Sequence, residues 1–320
     1  MLIVAERLIA GLVSPEDAFT AVEAAFSAMA RGGAYNFPVV REALGEGRQY
    51  GFKSGLDREG AVLGVKAGGY FPGNMARGMI NHQSSVFLFD PDSGRPVAMV
   101  GGNLLTALRT AAASAISIDR LARRDAKVLG VVGAGHQAGF QLRAAARVRQ
   151  FDRVVAWNLH PEMLPKLGAI AAELGLPFEA VSLEDLGAAA DVIVTITSAP
   201  AASLLSRHVR PGTHLACMGT DTAGKQEVEP AVLARATLFT DEVAQSVSIG
   251  EAQHAVAAGL ITAAAITPLG AVLTGAHPGR VSPQEITLFD GTGVGLQDLA
   301  VAAIAVTRAR ERGLGVEVDV

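Results

Sequence analysis

The sequence predicts an α/β protein in which a doubly wound parallel sheet is joined to a second, β-rich module. A nearly continuous apolar run at Val128–Val132 leads into a tight turn with Gly133 and Gly135, and a helical stretch without proline follows. Residues 125–240 then alternate between short apolar runs and helical stretches, which indicates a parallel sheet with crossover helices. Residues 37–100 consist instead of short segments separated by turn residues, a pattern typical of antiparallel strands.

The turn after the first of these parallel strands predicts a Rossmann dinucleotide-binding site. Gly133 permits the sharp turn, and Gly135 lets a pyrophosphate approach the backbone at the positive end of the following helix. An acid at the end of the next strand would bind a ribose hydroxyl, whereas an arginine would favour a 2′-phosphate. Asn158 stands there, followed by Leu159 and His160, so the residues favour NAD and leave NADP possible. A structural glycine turn in another α/β fold is the alternative.

Composition limits the class of protein. A chain of 320 residues is long enough for about two domains, and 50% hydrophobic with 18% charged residues excludes a disordered chain. The net charge of −4 gives no electrostatic case for binding nucleic acid. The charge-free stretch 255–276 contains Pro268 and several glycines, so it predicts two buried helical pieces rather than a membrane span. With one cysteine, Cys217, and no secretory signal pattern, we expect a cytoplasmic protein.

The remaining elements follow from caps, periodicity and turns. We expect residues 1–31 to be largely helical, because Ser14 and Pro15 predict a helix start and Gly32 a stop. A hairpin turn is predicted at 90–94, and an Ala-rich helix over Asn103–Leu121. A last helix, from residue 295 to about 312, is expected to return and pack on the first module. The predicted strands are 50–52, 62–65, 85–89, 96–100, 128–132, 153–157, 178–181, 191–197, 214–218 and 238–240.

Three basic side chains in apolar surroundings predict a pocket for a carboxylate. Lys66 ends an apolar strand, Arg41 follows the apolar segment 37–40, and Arg109 lies inside the Ala-rich helix. Arginine binds carboxylates through two parallel hydrogen bonds, and a buried lysine can act as an acid near neutral pH because desolvation lowers its pKa. For each residue considered alone, an ion pair with a neighbouring acid is the alternative.

Asp221 is the candidate for proton transfer. It follows the strand predicted at 214–218, and the carboxyl ends of parallel strands face the ligand in doubly wound folds. An acid there can exchange a proton with an amine or imine, although a turn or helix cap is an equal alternative. The seven histidines show no metal-ligand spacing, so no metal site is predicted.

These motifs, in this order, resemble those of the ornithine cyclodeaminase/mu-crystallin family. The matching segments cover nearly the whole chain: 38–41, 64–66, 82–83, 102–103, 105–112, 133–137, 219–221, 224–225, 269–275 and 289–293. The resemblance implies a Rossmann domain over residues 120–298. It also implies a substrate-binding and dimerisation domain formed by residues 1–119 with 299–320, and a homodimer. Family members include cyclodeaminases, alanine dehydrogenases, ketimine reductases and a hormone-binding crystallin.

The resemblance also implies roles for single residues. Lys66, Arg41 and Arg109 would hold the substrate carboxylate and polarise the reacting group, and Asp221 would transfer the proton. The residues that would line the cofactor are Gly133, Ala134, Gly135, His136, Gln137, Asn158, Thr197, Met218, Gly219, Lys225 and Thr292. The polar groups that could receive a second carboxylate are Asn81, His82, Arg48 and Lys53.

The chemistry that the family shares is hydride exchange between a nicotinamide and an α-imino or α-amino carbon. The whole sequence is most similar to bacterial members that reduce iminosuccinate to aspartate, so we expect NAD(P)H-dependent reduction of a small α-imino acid. The alternatives are a cyclodeaminase-type lyase, an alanine dehydrogenase or ketimine reductase, and a non-catalytic binding protein. The segment after Asp221 reads Thr-Ala-Gly-Lys where cyclodeaminases usually have a Cys-Pro pair, which puts ornithine specificity in doubt.

Overall fold

The computed structural model describes all residues from Met1 to Val320. The chain forms two compact units. The first unit consists of Met1–Ala112 and Val294–Val320, and the second unit of Ala113–Gly293. Both boundaries lie a few residues earlier than the predicted domain limits, so the whole C-terminal helix belongs to the first unit.

Strands and helices follow one another along the whole chain. The strands are β1 (Leu2–Val4), β2 (Ala34–Asn36), β3 (Val40–Gly45), β4 (Arg48–Asp57), β5 (Val62–Tyr70), β6 (His82–Phe89), β7 (Pro96–Gly101), β8 (Val128–Val132), β9 (Arg153–Trp157), β10 (Phe178–Ala180), β11 (Val192–Thr195), β12 (His214–Cys217), β13 (Thr237–Thr240), β14 (Ile266–Pro268), β15 (Thr287–Asp290) and β16 (Val316–Glu317). The α-helices are α1 (Glu6–Leu12), α2 (Pro15–Ala30), α3 (Asn103–Leu121), α4 (Ala138–Val148), α5 (Leu164–Glu173), α6 (Leu183–Ala189), α7 (Pro230–Leu233), α8 (Val243–Ser246), α9 (Ala252–Ala257), α10 (Leu269–Leu273) and α11 (Gly295–Glu311).

The first unit is built on a sheet with the strand order β16-β1-β7-β6-β5-β4-β2, and β3 pairs with β4. All neighbours are antiparallel except β1 and β7. The predicted hairpin between β6 and β7 is confirmed, and so is the helix start at Ser14, whose side chain forms a capping box with Asp17. The prediction that residues 1–31 are largely helical is wrong at the very start. Leu2–Val4 form a strand, because β7 offers them a parallel partner that the local sequence does not reveal.

Helix α11 packs on β4, β5 and α2, which confirms the predicted return of the C-terminal helix to the first module. Glycines make the close approach possible. A Cβ on Gly64 of β5 would lie 2.8 Å from Leu299 Cδ2, and one on Gly295 would lie 2.7 Å from the backbone nitrogen of Ser54. Because any larger residue would push the helix away from the sheet, these glycines set how close the first turn of α11 comes to β4 and β5.

The second unit contains an all-parallel sheet with the strand order β10-β9-β8-β11-β12-β15-β13-β14. The predicted fold class, a doubly wound parallel sheet together with a β-rich unit, is therefore confirmed. Two strands, β14 and β15, were not predicted, although β15 lies between β12 and β13. They are short, and their strand partners lie far away in the chain.

The prediction of two buried helical pieces over residues 255–276 is only partly correct. The stretch holds the end of α9, a 3₁₀ turn, β14 and α10, and much of it is exposed. Gly259 adopts a φ of +68° and ends the first helical piece, and the pairing of β14 with β13 interrupts the rest. No helix in the chain combines the length and the apolar character that crossing a membrane requires.

Candidate functional site

The candidate substrate site of the first unit contains a buried ion triad formed by Lys66 on β5, Arg109 on α3 and Asp298 on α11. Lys66 Nζ lies 2.8 Å from Asp298 Oδ2, and Arg109 Nε donates to Asp298 Oδ1 at 3.1 Å. All three side chains are buried, and Asp298 is fully inaccessible. The structure thus brings two of the three predicted cations together on one carboxylate. This acid was missed, and the only signal for it is an aspartate on an otherwise apolar face of α11.

Polar contacts on α3 and α11 hold the triad in place. Arg109 Nη1 donates to Gln297 Oε1 at 3.1 Å, and Thr106, one turn before Arg109, has its hydroxyl 3.4 Å from both Lys66 Nζ and Asp298 Oδ1. The start of α3 is itself fixed by the Glu6 carboxylate, which accepts the backbone N–H of Leu104 at 2.7 Å. Helix α3 therefore presents Thr106 and Arg109 to the triad from a fixed N-terminus.

The electrostatics of the triad favour an anionic ligand. Burial lowers the pKa of Lys66 to about 8, the charge of Asp298 opposes this, and the charges of Arg109 and Arg41 reinforce it. Burial opposes the ionisation of Asp298, yet the charges of Arg109 and Lys66 lower its pKa to about 2. With Lys66 protonated, the triad carries one net positive charge, so a carboxylate that entered the site would be attracted to it.

The other predicted substrate residues occupy different settings in the first unit. Arg41 lies on β3, close enough for its charge to act on Lys66. His82 begins β6 opposite Tyr70 of β5. The amide of Asn81 is engaged within its own loop, because Nδ2 donates to the Tyr70 hydroxyl and Oδ1 accepts from the backbone of Met75, both at 3.2 Å.

The two further candidates for a second carboxylate also differ. Arg48 is an exposed residue at the start of β4 that pairs with Glu46 at 3.0 Å. Lys53 is buried and stands directly opposite Lys66 in the β4–β5 register. Of the two, only Lys53 therefore lies next to the ion triad.

The glycine turn of the second unit has the shape that a dinucleotide requires. Gly133 has a φ of +110°, and a Cβ there would lie 2.6 Å from the carbonyl oxygen of Ile196, so only glycine fits. A Cβ on Gly135 would meet no atom within 4 Å, which leaves that side of the backbone open to a ligand. A cleft of about 270 Å³ adjoins the turn and is lined in part by His136 and Lys166. These residues fit a pyrophosphate bound at the start of α4.

Asn158, predicted as a ribose ligand, also fixes the glycine turn. Its Oδ1 accepts the backbone N–H of Ala134 at 3.1 Å, and its Nδ2 donates to the carbonyl of His160 at 2.8 Å. The side chain therefore ties the turn after β8 to the end of β9. His160 is exposed, as expected for a surface turn residue.

Several residues predicted to line the cofactor, at the other strand ends, donate hydrogen bonds to acids that the sequence did not reveal. Thr197, after β11, and Gly219, after β12, both donate to Glu227. Thr292, after β15, donates its N–H and its hydroxyl to Asp241 at 3.1 and 2.7 Å. Met218, directly after β12, is buried.

Asp221 pairs with Lys225 at 3.0 Å, so a predicted proton donor and a predicted cofactor ligand form one ion pair.

Three of the missed acids, Glu227, Glu251 and Asp290, are buried with perturbed pKa values. Burial raises the pKa of Glu227, and it raises the pKa of Glu251 to about 8 and that of Asp290 to about 7. Glu251 accepts the backbone N–H of Val228 at 2.7 Å and lies 2.5 Å from the Thr220 hydroxyl. These acids are scattered along the sequence, so no spacing pattern could have identified them.

The raised pKa of Glu251 predicts that the stability of the second unit falls with increasing pH. Above pH about 4.5, the unfolded chain releases the proton that folded Glu251 keeps up to about 8. The free energy of unfolding should therefore fall by up to about 1.4 kcal/mol per pH unit in that interval. Urea unfolding of the wild type and Glu251→Gln between pH about 7 and about 8 measures this, since the variant cannot titrate there. The variant should lose less stability across the interval, and equal losses would contradict the assignment.

The chain is similar to known proteins along its whole length. The model of the ornithine cyclodeaminase/mu-crystallin family matches residues 2–313. The chain is 63% identical over 321 residues to the iminosuccinate reductase of Paracoccus denitrificans, with 100% of both chains covered. It is 32% identical over 315 residues to the alanine dehydrogenase of Archaeoglobus fulgidus, covering 98% of this chain and 97% of that protein.

Two solved structures have the same fold over the full length. The iminosuccinate reductase of Paracoccus denitrificans in complex with NAD⁺ superposes with a TM-score of 0.95 at 63% identity, covering 100% of this chain and 99% of that one. An archaeal alanine dehydrogenase dimer with bound NAD superposes with a TM-score of 0.94 at 31% identity and the same coverage.

Proposed function

We propose, because the chain belongs to the ornithine cyclodeaminase/mu-crystallin family, that it reduces a small α-imino acid to the amino acid with NADH. The observation that carries this proposal is the 63% identity, over the whole length of both chains, to an iminosuccinate reductase whose structure contains NAD⁺. Iminosuccinate, reduced to aspartate, is accordingly the substrate that we assign.

The two units have separate roles in this proposal. The second unit binds the dinucleotide through the turn from Gly133 to Gln137, with Asn158, Thr197, Met218, Gly219, Lys225 and Thr292 completing the site. The open side of Gly135 and the cleft beside it support this assignment. When bound, NADH supplies a hydride. The first unit binds the imino acid.

The ion triad holds the substrate carboxylate. Asp298 neutralises one of the two positive charges of the triad. It also fixes Arg109 through its Nε, which orients the rest of the guanidinium for the substrate carboxylate. The Lys66 ammonium and Arg41 complete the binding set. Holding the carboxylate at three cations also orients the neighbouring imine carbon, which is what a hydride transfer requires.

Reduction of the imine needs one hydride on carbon and one proton on nitrogen. We assign the proton to Asp221, either directly or through a water that it orients. The C=N π bond is broken, a C–H and an N–H bond are formed, and Asp221 recovers its proton from solvent. The partly exposed position of Asp221 gives it access to solvent for this step.

The assignment of activity predicts NADH consumption with a keto acid plus ammonia, since the two form an imine in solution. With oxaloacetate and ammonia, NADH absorbance should fall and aspartate should accumulate in equal amounts. Pyruvate with ammonia should be a much poorer substrate, and equal rates with both would refute the dicarboxylate preference. Ammonia release from ornithine without net NADH consumption would indicate a lyase. No turnover with any imine would indicate a binding protein.

The role of the triad predicts a pH-dependent KM. Because the pKa of Lys66 is about 8, the KM for the imino acid should rise as the pH increases through 8 and the ammonium is lost. Asp298→Asn removes the charge that raises this pKa, so the rise should begin at lower pH. Lys66→Met should abolish turnover but retain NADH binding, measured by fluorescence. Loss of NADH binding in Lys66→Met would mean that Lys66 is a structural residue.

We also assign a homodimer joined through the first unit, in a cytoplasmic protein. The antiparallel sheet exposes large apolar side chains on neighbouring strands, among them Tyr50 and Phe52 of β4 and Tyr70 of β5. A second copy of the chain would cover such a face. The archaeal alanine dehydrogenase is also a dimer. Light scattering should give twice the chain mass of 32.9 kDa, and a monomer mass would refute the assignment.

A further inference from the structure

We propose that Glu227 is a positioning residue that sets the shape of the nicotinamide half of the dinucleotide site. The inference rests on the proposed use of NADH, and it concerns a side chain that no step of the reaction requires. Glu227 is only 1% exposed and lies behind the ends of two neighbouring parallel strands, β11 and β12.

The Glu227 carboxylate joins the two strand ends through four hydrogen bonds. Its Oε1 accepts the N–H and the hydroxyl of Thr197, at 2.6 and 2.8 Å. Its Oε2 accepts the N–H of Gly219 at 2.8 Å and the hydroxyl of Thr195 at 2.7 Å. Backbone N–H groups beyond the end of a strand have no ladder partner, so this carboxylate supplies the acceptors that the sheet does not.

Close packing joins the strand ends that Glu227 holds to their neighbours in the dinucleotide site. The Thr197 methyl group lies 3.1 Å from the position of a Cβ on Gly133, and a Cβ on Gly219 would lie 2.2 Å from the carbonyl oxygen of Thr197. The three segments after β8, β11 and β12 are therefore in contact side by side. A shift of Thr197 would therefore move the segment that leads from Gly219 to Asp221, whereas the glycine turn is also held from its other side by Asn158.

The strand order identifies which part of the cofactor is affected. The sheet runs β9-β8-β11-β12, so its topological switch point lies between β8 and β11, where doubly wound folds bind a dinucleotide. Asn158, after β9, lies on one side of the switch point, and Thr197 and Gly219 lie on the other. The adenosine half belongs to the first side, so Glu227 acts on the nicotinamide half.

A carboxylate is required because all four groups that face it are donors. In Glu227→Gln, one oxygen becomes an NH₂ group that confronts a backbone N–H of either Thr197 or Gly219. A hydroxyl can rotate to accept a hydrogen bond, but a backbone N–H cannot. One strand end is therefore released, while the volume of the side chain is unchanged.

The test compares NADH with ADP-ribose, which lacks only the nicotinamide, in two variants of the full-length protein. Asp191→Asn is the matched control, because Asp191 accepts the backbone N–H groups of Lys127 and Val128 at the opposite, amino end of the sheet. Both variants should lower the Tm. Glu227→Gln should raise the Kd for NADH by about tenfold and change the Kd for ADP-ribose by less than about threefold. Asp191→Asn should change neither Kd.

Equal weakening of both ligands in Glu227→Gln, or an unchanged Kd for NADH, would overturn the inference. Should Glu227→Gln fail to fold, Thr195→Val removes one of the four donors and keeps the side-chain volume at a buried residue of β11 that is not part of the cofactor site, and it should raise the Kd for NADH selectively by about threefold. Binding is measured without a substrate, so the two proposals fail separately. A wild type that reduces no imine refutes the proposed activity alone, whereas unselective binding by the variants refutes only the role of Glu227.

Discussion

The first unit depends on one buried carboxylate, that of Asp298. Removing a lysine and an arginine from water costs several kcal/mol per ion, and two like charges at close range add to that cost. Asp298 contacts both cations, at 2.8 and 3.1 Å, and neutralises one of the two charges, which leaves the site one positive charge in excess. The glycines under α11 belong to the same arrangement, because Asp298 reaches β5 only if the helix lies close to the sheet. The close packing of α11, the charge of the triad and the proposed binding of the substrate therefore all involve Asp298.

The second unit uses buried acids differently, as acceptors for backbone groups. Glu227 joins the ends of β11 and β12, Asp241 accepts the N–H of Gly293 at 2.7 Å, and Asp191 performs the same task at the amino ends of the strands. Parallel strands end in N–H groups without partners, and loops that must present a flat surface to a cofactor cannot satisfy them by turning back. Acids behind the loops satisfy these donors while leaving the front of the site open.

Local patterns in the sequence correctly predicted the structural elements that depend on interactions between neighbouring residues. The apolar run before Gly133, the helix start at Ser14 and the turn between β6 and β7 each depend on a few adjacent residues, and all were predicted correctly. Short strands such as β1 and β15 were missed, since their partners lie far away in the chain. The site follows the same rule. Lys66 and Arg109 could be identified as charged residues in apolar segments. The role of Asp298 as their counter-ion is apparent only from the packing of α11 on β5.

The first unit is discontinuous, since its two segments, Met1–Ala112 and Val294–Val320, enclose the whole of the second unit in the sequence. A ribosome synthesises the second unit in full before α11 emerges. Asp298, the counter-ion of Lys66 and Arg109, is therefore added only when translation is nearly complete. A polypeptide truncated before residue 294 would carry an intact glycine turn and parallel sheet but an exposed and uncompensated pair of cations. The order of synthesis therefore assembles the nucleotide-binding half first and the substrate pocket last.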